Sequence, residues 1–187
     1  MKELLKKLHA CKEAREWAGD KTWEEIYTTC HRGDWLLWLF QRTNPNDKRR
    51  LVLVGAHCAN TVRHLMLNER IKLAVDVAFS YGEGKATEEE LADAAKAAVY
   101  MAAYTAIYPT NTVASNAAAA NAAASNAAAA NAAICAASAA AYAAAASAAN
   151  AADIAADIAR EQNQKQTADI CRKYLPIEIW NIERGRK

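Results

Sequence analysis

The sequence has no charged residue between Ala97 and Ala152, although charged residues make up 24% of the chain. An amphipathic surface helix carries polar and charged side chains on its outer face, so this stretch is not an ordinary surface helix. Large side chains are also scarce, since 30 of the 46 residues from Ala114 to Ala159 are alanine. Alanine is the best helix former, and small side chains let helix axes approach closely. We therefore expect an interior wall of close-packed helices.

Asparagine recurs every five residues in this stretch, at Asn111, Asn116, Asn121, Asn126 and Asn131. Five helical steps advance about 140°, so these side chains spiral around a helix and do not share one face. The spacing also suggests a pentapeptide β-solenoid, but alanine is too small to fill a solenoid core and no β-branched run supports strands. A membrane span is disfavoured because Asn and Ser are costly in lipid. Helix is the favoured interpretation.

Several common signatures are missing. A net charge of +2 is too small for a general nucleic-acid surface, and there is no glycine-rich phosphate loop or GxSxG motif. The N-terminus has no sustained apolar core, which argues against secretion. The five cysteines are widely spaced and odd in number, and we expect buried, reduced thiols in a cytoplasmic protein. They are Cys11, Cys30, Cys58, Cys135 and Cys171.

Helical spacing and start signals predict an all-α, single-domain bundle. The first helix is expected from Lys2 to Ala18. Capping boxes predict helix starts at Thr22 and Thr87, and Asp34 is expected to cap the helix that follows it. We divide the chain into tryptophan-bearing N-terminal helices (1–82), alanine-rich helices (87–160), and a C-terminal helix and tail (161–187).

Four short motifs and the alanine-rich stretch after them follow the layout of a known family. The motifs are Ala14 to Ala18, Arg32 to Trp38, Ala56 to Val62, and Arg70 to Val75, the last running into Gly84 to Thr87. In this layout the chain resembles the Imm-5-like immunity proteins of bacterial and phage conflict systems. The resemblance covers the chain to about Ala159 and implies a small, non-enzymatic neutralising protein without a cofactor. The asparagine repeat departs from the family pattern.

A first candidate binding site lies at a predicted helix junction and comprises His31, Arg32, Asp34, Trp35 and Trp38. Arg and His side chains can receive an anionic group, and indole rings can stack under a base or another ring. The alternative is structural: Asp34 caps the helix, Arg32 pairs with it, and both tryptophans belong to the core.

A second positive group follows, made of Arg63, His64 and Arg70. It either joins the first group around a cleft or forms a solvated face. Asp153 and Asp157 lie four residues apart, but no Glu-x-x-His motif accompanies them, so we expect solvent-facing carboxylates and no metal site.

Three hypotheses of function follow. The first, implied by the resemblance, is a cytoplasmic protein that neutralises a toxin or defence effector by direct contact. The second is a phage anti-defence sponge that sequesters an anionic nucleotide signal in a pocket lined by Arg, His, Trp and Asn, because Asn offers both donors and acceptors to a base edge. The third is a homo-oligomer with the alanine wall as its interface.

Overall fold

The structure is a computed structural model that describes residues 1–65, 69–107 and 152–182. This part of the chain contains eight α-helices and no strand, which confirms the all-α prediction. The asparagine repeat, Cys135 and most of the alanine wall lie outside the described residues. No helix of the described ranges is long and apolar enough to cross a membrane. In chain order the helices are α1 (Lys2–Lys7), α2 (Lys12–Ala18), α3 (Trp23–Thr29), α4 (Gly33–Thr43), α5 (Lys48–Asn60), α6 (Glu69–Gly82), α7 (Glu88–Ile107) and α8 (Ala152–Tyr174).

The prediction of one helix from Lys2 to Ala18 is wrong. The chain breaks between α1 and α2, where His9 has a φ of 60°. The break lets Leu4 and Leu5 enter the main core from α1, while Ala18 enters it from α2. Cys11 is the N-cap residue of α2, and its Sγ accepts a hydrogen bond from the Ala14 N–H. The sequence predicted a buried thiol at this position, but Cys11 is exposed.

Both predicted capping boxes are present. The Thr22 hydroxyl accepts from the Glu25 N–H while the Glu25 carboxylate accepts from the Thr22 N–H. Thr87 and Glu90 make the same reciprocal pair at the start of α7. In both boxes the backbone N–H bound to the carboxylate is the main reason that the glutamate pKa is lowered. These local patterns fix the starts of α3 and α7 without help from the core.

The core is built where α4, α5 and α8 meet, and α6 and α7 stack outward from α5. The start of α4 lies against α8, where Gly33 meets Thr167. Further along α4, Phe40 packs edge-on against Trp180 in the segment that follows α8. The largest fully buried side chains come from these helices and the turn after α8, namely Phe40, Leu36, Leu37, Leu175 and Val54.

The residues that follow α8 are held against the N-terminal helices. Trp180 is 8% exposed and packs against Trp23 and Phe40, with ring centroids 4.8 Å and 5.1 Å away. The buried Asn44 amide donates to the carbonyl oxygen of Ile179 and its oxygen accepts from the N–H of Asn181. The C-terminal segment is thus part of the core and fixes the far end of α4.

Candidate functional site

The first candidate site lies where α3 ends and α4 begins. Cys30 is the C-cap residue of α3. Its buried thiol donates to the carbonyl oxygen of Arg32, in the short connection between α3 and α4. From α8, Arg172 donates to the carbonyl oxygens of Tyr27 and Cys30. The guanidinium thereby satisfies carbonyl groups that the end of a helix leaves unpaired. His31 follows directly and is exposed.

Arg32 is held on three sides. Its Nε and Nη2 donate to the two carboxylate oxygens of Asp34 at 2.9 Å and 2.6 Å, and Nη1 lies 3.8 Å from the Glu13 carboxylate. The guanidinium also lies 4.6 Å from the centroid of the Trp35 ring. The hydrogen bonds to Asp34 are the main reason that the pKa of Arg32 is raised. The predicted pairing of Arg32 with Asp34 is therefore present.

The prediction that Asp34 caps α4 is wrong. The N-cap of α4 is Arg32, whose side chain makes no capping hydrogen bond, and Asp34 lies within the first turn of the helix. The physical reason is the competition for the Asp34 carboxylate, since the fork-shaped guanidinium of Arg32, two residues earlier, donates to both of its oxygens at once.

Trp17, on α2, completes the cluster, although the sequence did not single it out as a site residue. Its ring lies 5.9 Å from that of Trp35 and 6.2 Å from that of His31. Lys21 lies 4.5 Å above the same indole and donates to the Trp17 carbonyl oxygen. We call Trp17, His31, Arg32 and Trp35 the tryptophan patch. Both of its tryptophans are half-buried, so they pack on the core and also face solvent.

Trp38 lies one helical turn after Trp35 and has a different role. It is half-buried against the main core, and the guanidinium of Arg42 lies 5.8 Å from its ring centroid. The structural alternative predicted that both tryptophans belong to the core. Leu36, Leu37, Leu39 and Phe40 are buried, whereas both tryptophans keep part of their surface in water.

The second positive group follows a contact that ties the end of α5 to α8. Thr61 accepts a hydrogen bond from Asn163 at 2.9 Å, one turn of α8 away from the contact between Gly33 and Thr167. Arg63 follows Thr61 by two residues.

Arg63 is also held by a carboxylate. Its Nη1 and Nη2 donate to Asp76 on α6 at 2.7 Å and 2.8 Å, and these bonds raise the pKa of Arg63 and lower that of Asp76. His64 is exposed in a 3₁₀ turn, and Arg70 is exposed in the first turn of α6. The two arginines that the sequence suggested for an anion pocket, Arg32 and Arg63, are therefore each paired with an aspartate.

The thiols nearest to the site are poor nucleophiles. Burial raises the pKa of Cys30, and burial together with the neighbouring Cys58 raises the pKa of Cys171 well above its usual range. Their protons are directed at backbone carbonyl oxygens, that of Cys171 at Gly33. Across residues 1–65, 69–107 and 152–182, no group of three or more His, Cys, Asp or Glu side chains is arranged to hold a metal ion.

Comparison with known protein families, curated proteins and solved structures finds no match to this chain. The resemblance to the Imm-5-like immunity proteins is carried by the sequence motifs alone and stays a prediction.

Proposed function

We propose that the protein is a non-enzymatic binding protein that neutralises a toxin or defence effector in bacterial and phage conflict. We also propose that the tryptophan patch makes this contact. The observation that carries the proposal is the ordered sequence of rings and cations from Lys21 through Trp17 and Trp35 to Arg32. Tryptophan and arginine dominate the binding energy of protein interfaces.

The patch is held in place before any partner arrives. The Arg32 side chain is held by Asp34 and Trp35. The backbone two residues earlier is held by Arg172, which donates to the Cys30 carbonyl oxygen. Side chains that are already ordered lose little conformational entropy when they bind, so more of the contact energy appears as affinity. A rigid aromatic surface of this kind suits a folded protein partner.

The arginine pairing favours a protein partner over a nucleotide. The sponge hypothesis requires Arg32 and Arg63 to receive a phosphate, but Asp34 and Asp76 each take two of the donors of these guanidinium groups. A phosphate at either arginine would be limited to the donors that the carboxylate leaves and would be repelled by that carboxylate. Aromatic contact with a protein meets no such repulsion.

We place the proposed contact in the bacterial cytoplasm. Cys11, Cys30, Cys58 and Cys171 are all free thiols, as a reducing compartment would keep them.

Photocrosslinking in bacterial cells tests the proposal. A benzophenone amino acid replaces His31, which is exposed beside Trp17, and in a matched control it replaces Asp93, which is exposed on α7. We expect a single protein adduct from position 31 that disappears when Trp35→Ala is added, and none from position 93. Equal adducts from both positions, or an adduct that survives Trp35→Ala, would contradict the proposal.

A further inference from the structure

The outward side of α8 carries a groove of about 410 Å³. Its lining side chains recur at helical spacing along one face: Gln162, Lys165, Gln166, Asp169, Ile170 and Lys173. The opposite face of the same helix is buried in the core through Asn163, Thr167 and Cys171. We call this lined surface the α8 groove. None of its residues belongs to the tryptophan patch.

The α8 groove carries a net positive charge, because its aspartate is paired with an arginine and its two lysines are not paired with a carboxylate in the described part of the chain. Asp169 accepts from Arg172 at 2.8 Å, so its charge is compensated. Lys165 and Lys173 are exposed, and neither has a carboxylate partner among the described residues. The ammonium group of Lys173 lies 5.3 Å from the Tyr174 ring. Two uncompensated lysines therefore flank the half-buried Ile170.

The spacing of these features suits an extended peptide. Lys165 and Lys173 are eight residues apart, which is about 12 Å along a helix axis. In an extended chain, residues four apart are separated by about 13 Å. A carboxylate at each end of such a segment would meet the two lysines, and an apolar side chain between them would lie over Ile170. Gln162 and Gln166 offer amide groups to the peptide backbone.

We infer that the α8 groove is a docking surface for an acidic peptide segment of a partner protein, with an apolar residue between two carboxylates. Charge complementarity selects the acidic ends, and the apolar floor favours a peptide over a phosphate backbone. This surface is separate from the tryptophan patch, so its failure in an experiment would leave the proposed function untouched.

Fluorescence anisotropy with a labelled synthetic peptide tests the inference. The probe carries glutamate pairs on both sides of a central leucine, and the comparison peptide carries glutamine in place of glutamate. We expect saturable binding of the acidic peptide and at least about tenfold weaker binding of the neutral one. Lys165→Glu with Lys173→Glu should weaken the acidic peptide by at least about tenfold and gain affinity for a lysine-containing counterpart.

Two control variants make the outcome decisive. Lys96→Glu reverses an exposed lysine on α7 and should leave binding unchanged. Trp35→Ala should also leave it unchanged, which separates this surface from the tryptophan patch. The inference is overturned if the acidic peptide does not bind at millimolar concentration, if the double variant binds it as wild type does, or if a single-stranded oligonucleotide binds more tightly.

His57 supplies a local spectroscopic reporter. It stacks on Tyr174, with ring centroids 4.1 Å apart, and its pKa is lowered first by burial and then by the charge of Lys173. A carboxylate bound beside Lys173 would counteract the effect of the lysine charge on the His57 pKa. In an NMR titration, saturation with the acidic peptide should raise the His57 pKa, and the neutral peptide should not. An unchanged His57 pKa at saturation would show that the peptide binds elsewhere.

Discussion

Gly33 lies so close to Thr167 that a Cβ on it would fall 2.5 Å from the threonine Oγ1 and 2.6 Å from its backbone carbonyl carbon. The contact sets the start of α4 against α8, and the tryptophan patch is built on that start. Gly33→Ala should therefore reduce the free energy of unfolding by about 1–3 kcal/mol, because the backbone of α8 must move. Urea denaturation measures this, and a loss below about 0.5 kcal/mol would show that the two helices separate freely.

Arg172 should be a positioning residue for the patch. Its side chain is 22% exposed and holds the carbonyl oxygens of Tyr27 and Cys30, just before His31. Arg172→Ala should cost about 2 kcal/mol, as expected for charged hydrogen bonds to backbone.

Arg172→Lys should recover only part of this lost stability, because a single ammonium group reaches fewer carbonyl oxygens than the forked guanidinium group. Urea unfolding gives the stability, and a tryptophan emission shift in folded Arg172→Ala reports the patch. Full recovery by lysine would contradict the bidentate role.

Trp180 should be the most sensitive aromatic residue of the described core. It contacts Trp23, Tyr27 and Phe40, and its indole N–H donates to the Leu175 carbonyl oxygen at 3.0 Å. Trp180→Ala should cost about 3–5 kcal/mol. Trp180→Phe keeps the ring packing but not the hydrogen bond, and should cost less. Thermal unfolding of both variants checks the order, and equal losses would contradict it.

His57 should make stability fall in mild acid. Burial and Lys173 lower its pKa in the folded protein, while Glu83 acts weakly in the other direction. The unfolded chain therefore binds this proton more readily. The His57 contribution is complete above the unfolded pKa of about 6.5 and declines as the pH falls through that value towards the lower folded pKa.

Urea unfolding between neutral and mildly acidic pH measures this contribution. Lys173→Met should reduce the loss, because it removes one cause of the lowered pKa. His57→Gln should remove the contribution of this group altogether. An unchanged pH dependence in His57→Gln would assign the effect to other residues.

Local signals explain what the sequence predicted well. The capping boxes at Thr22 and Thr87 depend on residues three apart, so they were found and are confirmed. Helical spacing also accounts for the buried face of α5, where Leu51, Val54 and Cys58 lie three and four residues apart.

Non-local packing explains what the sequence missed. The break after α1 has no Gly or Pro to announce it, and it depends on how α1 and α2 reach the core. Trp17 joins Trp35 only because α2 folds back on α4, and Arg63 meets Asp76 across two elements. Sequence spacing identified Arg32, Asp34 and Trp35 as a group, but it identified neither Glu13 beside Arg32 nor Asp76 as the partner of Arg63.

Native mass spectrometry on the protein purified from bacterial cells with active defence systems distinguishes a protein partner from a nucleotide ligand. We expect a stoichiometric complex with one protein partner in wild type and the mass of the chain alone in Trp35→Ala. A released phosphate-bearing small molecule that persists in Trp35→Ala, with no protein partner in wild type, would contradict the proposed function.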